Sequence, residues 1–502
     1  MADSNIRVNT TSGTVEGFAR NGVRRWRSIP YAQSTGGPLR LRAPRPPEPW
    51  RGVRYCDEFT FCAPQDRRYT LVGLNRHQPI SEDCLTVNVV APEAPRDARL
   101  PVMFFIHGGG YLLGSTATPV LYDGAALARR GCVFVSANYR LGALGCLDLS
   151  SLSTPKNPID SNLFLRDLVL ALRWVQDNVA GFGGDPDNVT IFGESAGAHA
   201  VATLLAVPPA RGLFHQAISE SPPSGLIQST EAAAETARRF VTALGAGPEN
   251  AARALKVAKT ADLVTTLERL MTTTIADAPG DYGIGAAVDG DYLPRDPVSA
   301  MARGEAHRVP LIIGSNADEG KLFARFMNYL PTSEPVIERF LAGVEPATGQ
   351  RIRNAYPGYP RPEECLRLGG DYAFGSLAWQ IAESHSDHAP TYLYRYDYAP
   401  RTLNWFGLGA THGMELLPVF DLYRTALGSL LTVAGDRRSA HRVSKNIQRR
   451  WRSFGRGAVP GDDWPAYTKP ARPVMVFDRH SRVEFDPTPA RREAWQDFRS
   501  VR

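Results

Sequence analysis

The chain has 502 residues, 43% of them hydrophobic and 22% charged, with a formal net charge of +6. This is the composition of an ordinary soluble globular protein with ample length for a large core. So small a positive excess over so many residues is no argument for a nucleic-acid partner. Length alone allows roughly three domains, but large α/β enzymes often keep one core with long insertions. Residues 1–502 are expected to form one unit with inserted regions at about 62–84, 230–304 and 321–390.

No run approaches the 18 or more apolar residues of a membrane span. The opening MADSNIRVNTTSG lacks the apolar segment of a secretory signal. The six cysteines (56, 62, 84, 132, 146 and 365) contain no C-x-x-C pair. Cys132 and Cys146 lie in apolar, strand-like surroundings and read as reduced core thiols. A cytoplasmic location is the expectation.

In chain order, residues 7–32 read as two short strands and a turn, and 38–50 as irregular proline-rich chain closed by Trp50. The polar stretch 62–84 reads as a loop. Residues 85–91 alternate as a strand, and 100–106 (LPVMFFI) are a short continuous apolar run, the pattern of a strand buried on both faces. That run ends in His107-Gly108-Gly109-Gly110. Glycines there let backbone N–H groups point into a site. A phosphate cradle would need a lysine and a helix starting at once, and neither is present. An oxyanion hole fits better, with the N–H groups of Gly108 and Gly109 joined by that of Ala196. Losing one such donor typically costs about 10²–10³ in rate. Tyr111, Leu112 and Leu113 follow the glycines and are expected to line the site for an apolar acyl or alcohol group.

Residues 132–138 read as another buried strand, and 167–179 as an amphipathic helix with Leu168, Leu172, Val175 and Val179 on one face. After a turn at 182–186 comes VTIFGESAGAH, 189–199. Four strand-forming residues run into Gly193-Glu194-Ser195-Ala196-Gly197, and small helix-compatible residues follow. This is the context of a nucleophile elbow, in which a tight strand-to-helix turn lifts a serine above the sheet edge. Residues 216–219 read as the next strand, 230–304 as a helical insertion, and 309–314 (VPLIIG) as a buried strand ending in Ser315 to Gly320. Residues 321–390 are helical again, 392–398 form a strand, and 409–417 form a loop around His412. A basic amphipathic helix spans about 438–455 with Val443, Ile447, Trp451 and Phe454 inward, and 474–477 close the sheet. Strands and helices alternating at this spacing imply an α/β protein with a mostly parallel sheet and right-handed crossovers.

A serine hydroxyl needs a base, and the base an orienting carboxylate. In this architecture the order is Ser, acid, His, each on a loop after a strand. His412 fits as base. His441 lies on the basic helix and His480 on a charged tail, both solvated. Asp318 and Glu319 both fit as the acid, and spacing does not separate them. Glu415 reads as a structural carboxylate. The acid limb of activity is expected in the ordinary histidine range, roughly 6–7.

These pieces together resemble the type-B carboxylesterase/lipase family, which includes bacterial para-nitrobenzyl esterases and the cholinesterases. The matching segments are IPYA at 29–32, EDCL at 82–85, HGGG at 107–110, NYRLGALG at 138–145, WVQDNVAGFGGDP at 174–186, GESAGA at 193–198, DEG at 318–320 and HGMEL at 412–416. The resemblance implies the α/β-hydrolase fold with helical insertions roofing an active-site gorge. It implies a triad of Ser195, Glu319 and His412, and an oxyanion hole of Gly108, Gly109 and Ala196. It implies ester hydrolysis through an acyl-enzyme without metal or organic cofactor. Ser28 stands where members often have glycine, and Phe164 and Leu168 replace a glycine and a glutamine. Secreted members carry a disulfide ending at the cysteine of E-D-C-L, which leaves a Cys62–Cys84 bridge open here, although Ala63 matches the usual register better.

Residues 62–84 contain no tryptophan, against a cholinesterase. An amidase or thioesterase would share the triad, and a non-enzymatic binding protein on this fold would typically have lost the serine. His385 and His388 lack a third ligand at metal-site spacing. The expected partner is a small-molecule ester, with no nucleic acid and no membrane.

Overall fold

The computed structural model describes residues 6–73, 76–118, 121–277, 279–280, 282–326 and 329–498. Its centre is an eleven-stranded sheet. In chain order the strands are β1 (Phe18–Arg20), β2 (Val23–Pro30), β3 (Thr86–Pro92), β4 (Leu100–Ile106), β5 (Val133–Ala137), β6 (Gly184–Glu194), β7 (Gln216–Glu220), β8 (Leu311–Asn316), β9 (Thr391–Tyr396), β10 (Pro473–Phe477) and β11 (Arg482–Phe485). Across the sheet they lie in the order β11-β10-β9-β8-β7-β6-β4-β5-β3-β2-β1. The seven from β4 to β10 run parallel, and antiparallel strands close both edges.

The apolar runs become two-sided strands because helices cover both faces. In β4, Phe104 and Ile106 enter one core with Leu168, Leu172 and Trp174 of the helix Leu163–Asn178. Met103 and Phe105 enter the other, with Phe134, Phe192, Phe420 and Trp451. The basic helix Arg437–Gly457 lays Val443, Ile447, Trp451 and Phe454 into that second core. The chain leaves β4 toward β5 on one side and later β6 on the other. This reversal opens a crevice at the carboxyl ends of β4 and β6, the usual place for a ligand in such a sheet.

The structure revises several expectations. Residues 7–32 form four strands. Two of them, Arg7–Thr10 and Gly13–Glu16, leave the main sheet and pair in a small sheet with Val53–Tyr55. The stretch 62–84 contains a short hairpin, Leu71–Gly73 against Arg76–His77. The 230–304 insertion contributes Ala286–Val288 to a parallel two-stranded ribbon with Ile227–Ser229, which immediately precedes it. β11 follows the strand read as the last. All six cysteines are buried and free, so Cys62 and Cys84 are not bridged. Ser28 adopts φ +53°, the left-handed backbone that explains why glycine suits this position. Its amide donates to Asn88 Oδ1 and its hydroxyl accepts from the Thr60 amide.

Arg140 and Asp167 form a fully buried bidentate pair, with Nε–Oδ2 2.8 Å and Nη2–Oδ1 2.6 Å. Asp167 Oδ2 also accepts from the Arg140 amide, and Arg140 Nη1 donates to the Arg42 carbonyl. Removing one member leaves a buried uncompensated charge, which costs about 3–5 kcal/mol. Asp167→Ala is therefore expected to lower the thermal unfolding midpoint sharply, whereas Glu235→Ala, which breaks an exposed pair with Arg238, leaves it nearly unchanged. Equal midpoints for the two variants would refute this.

Candidate active site

β6 ends in a turn that only small residues tolerate. A Cβ on Gly193 would lie 2.6 Å from the Ile106 carbonyl oxygen, and one on Gly197 2.1 Å from it. Both distances are far inside van der Waals contact. Between them Ser195 takes φ +57°, ψ −128°, a strained conformation for a residue with a side chain. Its amide donates to the Glu220 carbonyl at 2.9 Å, which pins the turn to β7. The helix Ala196–Leu204 starts at once, with Ser195 as its N-cap.

The glycine loop lies against this turn. A Cβ on Gly108 would stand 3.0 Å from the Ser195 Cβ. Among the described residues, the N–H groups of Gly108, Gly109 and Ala196 donate to no other protein group. They are the donors expected of an oxyanion hole. Three contacts hold the loop. His107 stacks on Tyr139, whose hydroxyl donates to the His107 carbonyl at 2.8 Å. Gln65 makes a two-bond clamp with Gly114, accepting from its amide and donating to its carbonyl. The Tyr111 hydroxyl and His199 Nδ1 share a hydrogen bond at 2.8 Å. Burial lowers the His199 imidazole to about 3, so the ring is neutral.

Leu112 and Leu113 line a cavity of ≈ 510 Å³ together with Ser195, Glu194, His412 and Met271. Tyr111 does not reach it. With φ +61° the backbone turns this side chain into the core, where it meets Phe164 at 4.6 Å and His199. Phe164, which replaces a glycine, thus fills the space beneath the loop.

At the end of β8 the chain turns back so that Glu319 and Asp318 point apart. Glu319 is 3% exposed. It accepts from the Asn316 amide at 2.7 Å through Oε1 and meets His412 Nδ1 at 2.7 Å through Oε2. Asp318 instead pairs with Lys321 at 2.8 Å and accepts from the Ala410 amide at 3.1 Å, tethering the histidine loop from outside. The geometry separates the two acids that spacing left open. The His412 ring packs at a tilt against Phe374, with ring centroids 4.3 Å apart. Its Nε2 stands 3.2 Å from Glu194 Oε1. That oxygen has no aligned hydrogen bond, so Nε2 is not committed to it.

Two carboxylates therefore face one imidazole. Burial alone would lower its pKa, but Glu194 and Glu319 outweigh burial and raise it to about 9. Burial raises the Glu194 and Glu415 carboxyls in turn. Glu415 accepts from the Ser221 hydroxyl at 2.7 Å and from Asn316 Nδ2. The roles of Glu194, Gln65 and His199 went unread in the sequence. Glu194 sits inside the G-E-S-A-G motif, but nothing in the spacing shows that it faces His412. Gln65 and His199 carry no motif signal. His441 is part-buried near the Tyr423 carbonyl and His480 is exposed. His385 and His388 face the carbonyls of Val309 and Ala302. Among the described residues no group of three or more His, Cys, Asp or Glu is arranged to hold a metal.

The carboxylesterase family model matches residues 4–495. Among curated relatives, the para-nitrobenzyl esterase of Bacillus subtilis is 36% identical over 499 residues, 97% of each chain. The fumonisin B1 esterase of Sphingopyxis macrogoltabida is 33% identical over 95% of this chain and 87% of that one. A solved structure of a PNB esterase superposes with a TM-score of 0.86 at 34% identity, covering 98% of this chain and 99% of that one.

Two tests follow from the geometry. A protonated His412 cannot accept a proton, so activity rises as pH passes upward through its pKa. The flanking carboxylates place the acid limb of kcat/KM above the ordinary 6–7. Glu194→Gln removes one of the two carboxylates that face the imidazole and raise its pKa, and is expected to shift that limb to lower pH; an unmoved limb contradicts the electrostatic account. Tyr111→Phe cuts the bond between the glycine loop and the elbow helix. It is expected to lower kcat by roughly tenfold with KM little changed, because donor positions matter most in the transition state. A change confined to KM would contradict this.

Proposed function

The chain belongs to the carboxylesterase family and is a carboxylic ester hydrolase with the α/β-hydrolase fold, and from that premise we propose a two-step acyl transfer on Ser195. The Ser195 oxygen attacks the ester carbonyl as His412 Nε2 takes its proton. Glu319, at Nδ1, orients the ring and balances the imidazolium that forms. The carbonyl oxygen becomes an oxyanion between the N–H groups of Gly108, Gly109 and Ala196. The intermediate collapses, and the alcohol leaves with the proton from His412. Water then attacks the acyl-enzyme, giving up a proton to His412, and the carboxylic acid departs as Ser195 recovers its hydrogen.

The observation that carries this reading is the 2.7 Å contact between Glu319 and His412 at a cavity that also contains Ser195. The strained elbow supports it, since such strain persists where the surrounding structure over-determines it. The wall of Leu112, Leu113, Leu226, Leu267 and Met271 favours an ester with an apolar acyl or alcohol group. The names of the two relatives, para-nitrobenzyl esterase and fumonisin B1 esterase, agree with an ester substrate. We read residues 1–502 as one catalytic unit whose insertions wall the cavity. Six buried free thiols favour a reducing compartment, the cytoplasm.

A fluorophosphonate probe is expected to label the wild type with one equivalent on Ser195 and to leave Ser195→Ala unlabelled, with hydrolysis of an aryl ester falling by about 10³ or more. Labelling of Ser195→Ala at the wild-type rate would overturn the assignment of the nucleophile.

A further inference from the structure

The sequence argues against a membrane span, and no described helix is long and apolar enough to cross one. A protein surface can meet lipid without spanning it. Beside the cavity lies a face whose large apolar side chains point outward. Trp405 is 74% exposed and Val433 73%, and Phe326, Phe406 and Leu430 are also well exposed. Hydrogen bonds stitch their segments together. Arg325 Nη1 donates to the Phe406 carbonyl at 2.6 Å. The Thr402 hydroxyl donates to the Leu431 carbonyl, and Arg401 Nη1 to that of Ala434 at 3.4 Å. These residues therefore form one surface rather than scattered exposed side chains, which would need no explanation.

Segments 321–326, 401–409 and 422–442 contain Lys321, Arg325, Arg401, Arg424, Arg437, Arg438 and Arg442. Lys321 and Arg424 pair with the bordering Asp318 and Asp421, and Arg401 lies near the buried Asp436, whereas the exposed Arg437, Arg438 and Arg442 carry the surplus positive charge of this face. Exposed tryptophan, phenylalanine and aliphatic side chains ringed by arginine are the composition of a surface that rests in an anionic lipid interface. The face also connects to the site. The helix Gly320–Phe326 presents Phe323 to the cavity wall beside His412 and Phe326 to the outside.

We propose that this face, centred on Trp405, Phe406, Leu430 and Val433, docks the protein on an anionic lipid surface. Docking brings the apolar cavity next to the phase in which amphiphilic esters partition. The docking stands on the surface alone; the delivery of substrate rests on the esterase reading.

The test uses the full chain and sedimentation with vesicles of phosphatidylglycerol and phosphatidylcholine. The wild type is expected to bind these vesicles at low salt, to be released at about 0.5 M salt as screening requires, and to ignore pure phosphatidylcholine. Two double variants, Trp405→Ser with Phe406→Ser and Arg437→Glu with Arg438→Glu, are each expected to lose at least about tenfold in partitioning, in line with one lost anchor or two lost basic contacts. Both are expected to hydrolyse a short water-soluble ester as the wild type does, which also reports that they fold. Absence of binding to anionic vesicles, or binding that survives both changes, overturns the proposal. So does a wild-type dimer that either variant splits, since the face would then belong to a second copy of the chain. Failure of the wild type to hydrolyse the soluble ester would strike the esterase reading and leave the vesicle result standing.

Discussion

The site depends on one close approach of backbone to backbone. The carbonyl of Ile106, last residue of β4, lies against Gly193 and Gly197, and no Cβ fits at either position. In the register of the sheet Gly193 stands directly opposite Ile106. The nucleophile turn and the glycine loop therefore begin at the same height on neighbouring strands. That is how two elements separated by more than eighty residues come to lie side by side. The strain at Ser195 costs on the order of 1–3 kcal/mol. It is offset by the hydrogen bonds and packing of a sheet buried on both sides.

Electrostatics supply the second constraint. Glu194, Glu319 and Glu415 are buried and act on a single imidazole, and the buried Glu220 lies near Glu194 and Glu415. Three of them accept hydrogen bonds that make their burial tolerable. Glu220 accepts from the Trp451 indole at 2.6 Å, Glu415 from Ser221 and Asn316, and Glu319 from the Asn316 amide. Glu194 Oε1 and Glu220 Oε2 each lack an aligned bond, and the Glu194 oxygen faces His412. An imidazole in such a field holds its proton more tightly than one in water. The sequence-based expectation of an ordinary histidine titration considered the base and its orienting acid but not the other carboxylates that the fold gathers, which push the imidazole pKa upward.

How much was legible follows from the range of each signal. Runs such as LPVMFFI and the G-E-S-A-G turn are local, so β4, the elbow and the basic helix could be read within a few residues. The short edge strands were harder. Arg482–Phe485 has the burial pattern of a half-exposed edge and lacks a continuous apolar run. Asp318 and Glu319 are chemically alike and adjacent, and only the turn after β8 sends one to His412 and the other to Lys321. Tyr111 was expected beside the substrate because it follows the glycines. Its positive φ reverses that direction and gives it a partner, His199, whose proximity depends on the fold. The departures from the family pattern become intelligible in the same way: Phe164 occupies the volume under Tyr111, and Ser28 keeps a left-handed backbone.

The central claim is that Ser195, His412 and three backbone N–H groups converge on one reacting carbon. A crystal structure of the protein inactivated by an aryl phosphonate ester tests it most directly, since the tetrahedral phosphorus stands in for that carbon. The account predicts phosphorus bonded to the Ser195 oxygen and its phosphoryl oxygen within hydrogen-bond reach of the Gly108, Gly109 and Ala196 amides. It also predicts His412 Nε2 turned from Glu194 toward the ester oxygen. Phosphorus on another side chain, or a phosphoryl oxygen pointing away from those three amides, would contradict it.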